Sequence, residues 1–427
     1  MGKINVIGAG LAGVEAAHYL ASKGHEVHLF EKRPQNMTPA HQSGLFAELV
    51  CSNSLKSNRL DNACGLLKEE MRIMGSITME AARKTSVPSG NALSVDRELF
   101  AQEITTKILQ NRHIFVHHND ISALSDELTI LATGPLTSDK MVNELNKIIG
   151  EEALSFYDAS APIISKDSID FSIAYYKSRY EQGDNSYINC PMNKEGYLRF
   201  VEELKTAKTV QLHDFETDYF EGCLPIEVIA KRGIDTLRYG PLKPKGLALD
   251  RSHPPYAVIQ LRQDNVIASL YNIVGFQTNL TYREQERVFR MIPGLEKAEF
   301  IRFGLMHRNT YINAPLALND NLTLKKKPNV IIAGQLSGVE GYVESAATGI
   351  IAGIIAHHLA TDREPPLPPL STMIGSLISY ITKANPENFS PMNANFGILI
   401  DANKRHREED AQWALASIRE YVKHTNE

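Results

Sequence analysis

Two of the chain's four cysteines sit among residues able to serve a reacting thiol. Cys51 lies in Glu48-Leu49-Val50-Cys51-Ser52-Asn53-Ser54, among hydroxyl and amide groups able to hydrogen-bond a thiolate. Cys223 lies in Glu221-Gly222-Cys223-Leu224-Pro225-Ile226-Glu227, where a glycine leaves space beside the sulfur and flanking carboxylates can carry protons. On these residues alone each is either a reactive thiol or a buried structural one. Cys64 and Cys190 read as structural thiols. No two cysteines form a C-x-x-C pair, which argues against a zinc knuckle, an iron-sulfur site or a secreted disulfide scaffold, so no metal is expected.

A second chemistry is written near the start. Gly8-Ala9-Gly10-Leu11-Ala12-Gly13 fits G-x-G-x-x-G, with an acidic residue, Glu31, about 20 residues on. Gly8 permits a tight turn, Gly10 lets a pyrophosphate approach the backbone, and Gly13 lets helix and strand pack closely. The helix N-terminus would offer its N–H groups to the phosphates, and Glu31 would accept from the adenosine ribose. Lys32 and Arg33 suit either a solvated loop or the 2′-phosphate of NADP. A late Gly-rich segment, Ala333-Gly334-Gln335-Leu336-Ser337-Gly338-Val339-Glu340-Gly341-Tyr342, repeats the strand-turn-helix grammar. Flavoproteins of the glutathione-reductase type close their FAD site with such a second segment, so this resemblance favours FAD.

These residues need a scaffold. Lys3 to Ile7 reads as a buried strand, Leu11 to Lys23 as an Ala- and Leu-rich helix closed by Gly24, and Glu26 to Phe30 as a second strand. Pro34 to Ser94 is polar and mixed, a charged helix opens near Asp96 and runs to Leu109, and Leu128 to Thr133 is a third strand. Between Glu151 and Ile301 aromatic and β-branched runs, such as Ala257 to Leu261 and Val266 to Val274, alternate with loop residues, as in an antiparallel sheet. Val330 to Ala333 and a helix from Ser345 to Leu359 return to the first pattern. Four prolines between Pro365 and Pro369 form a stiff link, and Asp401 to Glu427 is a charged amphipathic helix. The expected fold is α/β: a glutathione-reductase-type, Rossmann-like FAD-binding domain in two parts, 1–150 and 305–427, with an inserted α+β domain at 151–304.

Composition sets the limits. At 427 residues the chain is two to three domains, too long for a single small binding module. Hydrophobic residues at 43% and charged residues at 22% describe a chain able to bury a core. The net charge of -5 advertises no polyanion, so any nucleic-acid contact must be local. Glycines and Glu15 interrupt the opening apolar run, which reads as structure and not as a targeting segment. Glu340 and Glu344 interrupt the most membrane-like stretch, so no membrane partner is expected, and a reducing cytoplasm is the expected location.

The chain resembles the TrmFO family, the flavin- and folate-dependent tRNA uracil-5-methyltransferases, related to the larger tRNA wobble-uridine modification flavoproteins. Besides the Gly8–Gly13 and Cys51 words, the resemblance is carried by Glu31-Lys32-Arg33-Pro34, Thr38-Pro39-Ala40-His41, Gly65-Leu66-Leu67-Lys68-Glu69-Glu70-Met71 and Phe220-Glu221-Gly222-Cys223-Leu224-Pro225-Ile226-Glu227. Leu261-Arg262-Gln263-Asp264-Asn265, Tyr271 to Thr278, Met306-His307-Arg308-Asn309-Thr310 and Gly334 to Gly349 complete it. It is thinnest over Glu151 to Asn185 and beyond Pro365.

The resemblance implies that FAD is held by Gly8, Ala9, Gly10, Leu11, Ala12, Gly13, Glu31, Lys32, Gly334, Gln335 and Gly338. It implies a one-carbon unit drawn from 5,10-methylenetetrahydrofolate, a reduced flavin that carries the methylene and supplies reducing equivalents, and NADPH or NADH that recharges it. The residues support such chemistry, since a thiolate adding to uracil C6 makes C5 nucleophilic. By carry-over Cys223 is the nucleophile and Cys51 the second catalytic cysteine; Cys51 as thiolate and Glu221 are both candidates to remove the C5 proton. His41, His307 and Arg308 lie in family words and are candidates for contacts to folate, flavin or substrate. Arg232, Arg238, Lys243 and Lys245, with Tyr239 and Tyr256 beside them, follow Cys223 as a local basic segment suited to loop RNA, or else are a solvated loop. Lys325-Lys326-Lys327 reads as solvated. The implied RNA is the T-loop uridine of tRNA, position 54; a 23S rRNA uridine, or a small-molecule flavin oxidoreductase without RNA, are the alternatives.

Overall fold

The computed structural model describes residues 2–150, 154–179, 186–210, 224–250, 252–399 and 406–426. Strand β1 (Lys3–Ile7) buries Ile4, Val6 and Ile7, helix α1 (Leu11–Ser22) follows after a three-residue turn, and β2 (Glu26–Phe30) lies parallel to β1. Gly24, at φ +79, turns the chain out of α1, a backbone state that a Cβ disfavours. The sheet has six strands, in the order Thr323–Leu324, Lys327–Ile332, Thr129–Leu131, β1, β2 and Ile114–His117. All neighbours are parallel except the antiparallel pair at the Thr323–Leu324 edge. The helix Tyr342–Leu359 packs on α1 through small residues: a Cβ on Gly349 would lie 2.2 Å from the Ala12 carbonyl oxygen. Only glycine permits that approach, which brings both helix N-termini to the same end of the sheet.

A two-stranded antiparallel ribbon, Leu154–Ala159 with Met306–Tyr311, leads the chain out of this layer and back. Between its strands stands a second, antiparallel sheet in the order Tyr175–Tyr176, Tyr187–Met192, Ala257–Gln263, Leu270–Ile273, Ile163–Ser165 and Phe300–Arg302. It has its own core, in which Tyr197, Phe200, Phe276 and Phe289 are fully buried.

Four elements differ from the sequence reading. The polar stretch Pro34 to Ser94 contains two helices, Ala63–Ile73 and Ile77–Lys84, capped by Asn62 and Ser76. Their inner faces are partly polar: Lys68 and Glu70 are buried, which breaks the apolar period. Of Val266 to Val274 only Leu270–Ile273 is strand, because the Asn265 side chain accepts from Ser269 N and Leu270 N and Ala268 takes φ +55, making a hairpin turn. The late helix opens at Tyr342, not Ser345. The last helix spans Arg407–Asn426, and positions 401–405 lie outside the described residues.

The helix expected near Asp96 is Arg97–Leu109, with the Asp96 carboxylate accepting from Glu98 N and Leu99 N. Among the described residues no helix is long and apolar enough to cross a membrane.

Candidate functional site

The N-termini of α1 and of the helix Tyr342–Leu359 open into one elongated cavity of about 440 Å³. Gly8, Gly10, Leu11 and Ala12 form one part of its wall and Gly334, Gln335, Gly341 and Tyr342 another. Glu31, Lys32 and Asn119 lie in the wall on one side, and Cys51, Lys56, Arg262 and Gln277 also line it. Neither helix has a side-chain cap, so both present unpaired first-turn N–H groups and the positive end of their dipoles, as a pyrophosphate requires.

The glycines divide by role. A Cβ on Gly10 would meet no chain atom within 4 Å, so the space above it belongs to the cavity. A Cβ on Gly13 would stand 1.8 Å from the Gly8 carbonyl oxygen, so Gly13 serves the packing of α1 on β1. Gly338 is likewise outside the wall: its missing side chain makes room for the Phe389 ring, at 2.4 Å from where a Cβ would lie. Ala9 contributes its N–H to Glu31 Oε2 at 3.0 Å instead of to the cavity.

Glu31 is more committed than its position suggested. Arg33 donates to it from its backbone N (3.0 Å), from Nε (2.9 Å) and from Nη2 (3.2 Å). Burial works against the ionised carboxyl, but these bonds and the Arg33 charge offset it and hold the group below its usual value. Arg33 is itself only 2% exposed and is spent on Glu31 and Ser43 O, so it does not present a free guanidinium to a 2′-phosphate. Gln335 lies in the wall and donates to Glu340.

Two buried atoms lack partners at this cavity. Asn309 is 1% exposed, lines the wall, and its Oδ1 meets no donor. Glu344, fully buried behind Gly341, takes Lys56 Nζ (3.3 Å) and Ala394 N (3.0 Å) on Oε1, while Oε2 has no partner. An unpaired buried acceptor is costly, so the Asn309 amide points to a ligand with a hydrogen-bond donor. The open space above Gly10, the paired helix ends and this orphan acceptor all fit a dinucleotide such as FAD.

Cys51 is half-buried in the wall. Its N–H and that of Ser52 both donate to Tyr342 Oη, at 2.6 and 3.2 Å, and its thiol is 3.5 Å from the Ala159 carbonyl oxygen. Burial pushes the Cys64 thiol up to about 12, and it raises that of Cys190 as well, so both are inert thiols in the core. His41 lines the cavity and its Nδ1 lies 2.6 Å from Thr38 Oγ1.

Cys223 and Glu221 lie outside the described residues; the chain is described again from Leu224, and Ile226 N donates to the carbonyl oxygen of Gln277, a wall residue. His307 and Arg308 belong to the strand Met306–Tyr311, and their side chains lie outside the described residues. Arg232, Lys243 and Lys245 are exposed, while Arg238 donates Nε to Tyr256 O and stacks on the Tyr256 ring at 4.1 Å. Tyr239 beside it is 73% exposed. Arg179 donates to Lys243 O and Lys245 O, which fixes that loop and leaves its lysine side chains outward. Lys325, Lys326 and Lys327 are tied to Pro315 O, Ile149 O and Asp126. No group of metal-ligating side chains occurs among the described residues.

The sequence matches the family model for glucose inhibited division protein A over residues 3–364. It is 56% identical to a methylenetetrahydrofolate-tRNA-(uracil-5-)-methyltransferase TrmFO of Desulforudis audaxviator, covering 93% of this chain and 91% of that one. It is 53% identical to the protein of the same description from Lactobacillus delbrueckii subsp. bulgaricus, covering 95% of each. Among solved structures it is similar to Aquifex aeolicus GidA, with a TM-score of 0.75 at 16% identity, covering 99% of this chain and 76% of the other. That likeness bears on the fold.

Proposed function

From the premise that this chain belongs to the glucose inhibited division protein A family, and within it to the TrmFO group, we propose that it is a folate- and FAD-dependent tRNA uracil-5-methyltransferase. Its substrate is the T-loop uridine of tRNA, position 54, its carbon source 5,10-methylenetetrahydrofolate and its reductant NADPH or NADH. The relatives on which this rests match the chain over nearly its whole length. The structural observation that supports it is Cys51 in the wall of the cavity that two helix N-termini face. FAD, when bound, supplies the redox equivalents that convert a methylene into a methyl group.

The chain's own part is positioning and proton handling. Gly10, Leu11, Ala12 and Gly341 would seat the pyrophosphate, the fixed Glu31 carboxylate the ribose, and Asn309 Oδ1 a donor of the cofactor. Cys223 would add to uracil C6, C5 would take the one-carbon unit, and loss of the C5 proton with expulsion of the Cys223 thiolate would restore the double bond. Cys51, as thiolate, and Glu221 are the two candidates to accept that proton. Tyr239 and the exposed Arg232, Lys243 and Lys245 would meet the RNA, the ring stacking on an unpaired base and the cations facing phosphates. The unit between the ribbon strands, close to 151–304, would then be the RNA-facing domain. A chain acting on these substrates would work in the cytoplasm.

The test is transfer of labelled carbon from 5,10-methylenetetrahydrofolate to RNA, followed by nucleoside analysis of tRNA and rRNA separately. Label in 5-methyluridine of tRNA is the expected result. Label in 23S rRNA alone moves the substrate; NAD(P)H oxidation with no label in either RNA removes the methyltransferase reading.

A further inference from the structure

The loop that carries Cys51 is gripped by three guanidiniums from distant parts of the chain. Arg97, the first residue of the helix Arg97–Leu109, donates to Leu49 O at 3.0 Å and to Cys51 O at 3.3 Å. Arg302, closing the strand Phe300–Arg302, donates to Val50 O at 2.9 Å and Ala40 O at 3.0 Å. Arg262, in the strand Ala257–Gln263, reaches Asn53 Oδ1 at 3.0 Å and Ser52 Oγ at 2.7 Å. Every residue from Leu49 to Asn53 is held by one of them. Of the three only Arg262 lines the cavity beside Cys51.

The charges do not balance. Asp264 pairs with Arg97 at 3.1 Å. Glu48, the other carboxylate near the loop, takes Gln42 N, Ser43 N and Ser43 Oγ and lies 3.5 Å from Arg33. Lys56, also in the cavity wall, is answered by Glu344. Tyr187 and Tyr342 also face the cluster, and burial pushes the Tyr342 hydroxyl upward, so it stays neutral. Among the described residues three guanidiniums face Asp264 and, at Arg302, the charge of Glu48, so positive charge is left in excess in a desolvated place, an arrangement that favours any group there able to become an anion. Within Leu49 to Asn53 only the Cys51 side chain is such a group.

We propose that Arg97, Arg262 and Arg302 are positioning residues that hold Cys51 as a thiolate at neutral pH, with Arg262 exerting the effect from the cavity wall. Opposite charge close to a thiol stabilises the thiolate. The inference rests on reading Cys51 as a reactive thiol and is independent of which RNA is methylated.

The test is the pH profile of iodoacetamide alkylation at Cys51 in the flavin-loaded full chain, read by mass spectrometry of the Cys51 peptide. Wild type should titrate below the ordinary thiol value of about 8.5. Arg262→Gln should raise the midpoint by about one unit, a tenfold slower reaction at pH 7, and Arg262→Lys should recover most of it. Should Arg262→Gln lose its flavin, Arg302→Gln is measured instead and must show the same shift. A wild-type midpoint at or above 8.5, or a midpoint that neither glutamine variant moves, overturns the proposal and leaves the cage as a seat for an external anion such as an RNA phosphate. Methyl transfer is assayed in parallel: a shifted thiol without RNA methylation sinks the function and not the cage, and the reverse result sinks the cage alone.

Discussion

Two alanine substitutions three residues apart, at Gly10 and Gly13, should behave in opposite ways. At Gly13 a Cβ would lie 1.8 Å from the Gly8 carbonyl oxygen, so Gly13→Ala must displace backbone and should cost about 3 kcal/mol or more with or without ligand. At Gly10 the backbone is ordinary extended, φ -74 and ψ -173, and a Cβ meets no chain atom within 4 Å. The loss of a tolerable N-cap residue and the reduced freedom of the unfolded chain nearly cancel, leaving ligand-free stability within about 0.5 kcal/mol of wild type. The added methyl occupies the space through which a pyrophosphate approaches the helix end. If that weakens FAD a hundredfold, the stabilisation from FAD at a hundred times the wild-type Kd falls from about 2.7 to about 0.4 kcal/mol. Urea unfolding of each variant with and without FAD, beside a flavin-fluorescence titration, separates the two numbers. If Gly10→Ala binds FAD like wild type, or loses as much stability without FAD as with it, the cavity is not the dinucleotide site.

Three further outcomes follow from the geometry. Tyr342→Phe removes the acceptor of the Cys51 and Ser52 N–H groups; a cost of about 2 kcal/mol is expected, seen as roughly thirtyfold faster amide exchange at those two positions, and unchanged exchange would refute it. Glu70 caps the helix Met373–Lys383 by accepting from Met373 N and Ile374 N, yet burial pushes its carboxyl up to about 8. The folded chain then keeps a proton that the unfolded chain has released, so stability present below about pH 4.5 is lost as pH rises through 8; Glu70→Gln, which keeps one acceptor and turns an NH2 on the other N–H, should start below wild type near pH 5, and wild type should lose about 3 kcal/mol relative to it by pH 9 in urea titrations. Asp264→Asn strands the Arg97 guanidinium and should cost about 3–5 kcal/mol in urea unfolding, while Asp264→Asn combined with Arg97→Met should cost less than the sum of the two single variants, though it still loses the Arg97 bonds to Leu49 O and Cys51 O; an additive double variant would contradict the pairing.

What could be read from sequence was what is local. The turn from Gly8 to Gly13 and the Asp96 cap are short-range devices, each made by residues a few positions apart, and each has a fixed geometric purpose. The helices Ala63–Ile73 and Ile77–Lys84 were hidden because their inner faces carry Lys68, Glu70 and Thr78, satisfied by backbone groups and by Glu15. Polar residues so placed look solvent-facing to any rule based on apolar spacing. Gly338 resembled a ligand glycine because a positive φ has the same signature whether the space above it holds a phosphate or the Phe389 ring.

The arginine cage was illegible for a different reason. Arg97, Arg262 and Arg302 are separate basic residues in unrelated words; Arg97 and Arg302 bind main-chain carbonyls, which leave no partner residue to recognise, and the side chains that Arg262 binds, Ser52 and Asn53, lie about two hundred positions away. Their arrangement nevertheless limits how the molecule can move. Two of them come from the second sheet, and Asn53 Nδ2 donates to Gln263 O of the same sheet while the Asp96 carboxylate accepts from Val266 N in its hairpin turn. Swinging that sheet away from the first would strip charge-assisted bonds worth about 1.5–3 kcal/mol each from the Cys51 loop and leave buried guanidiniums unpaired. Any opening of the cavity therefore has to come from segments that do not grip this loop. The loop is tied to both layers, through Arg97 and Tyr342 on one side and Arg262 and Arg302 on the other, so Cys51 keeps one position relative to each.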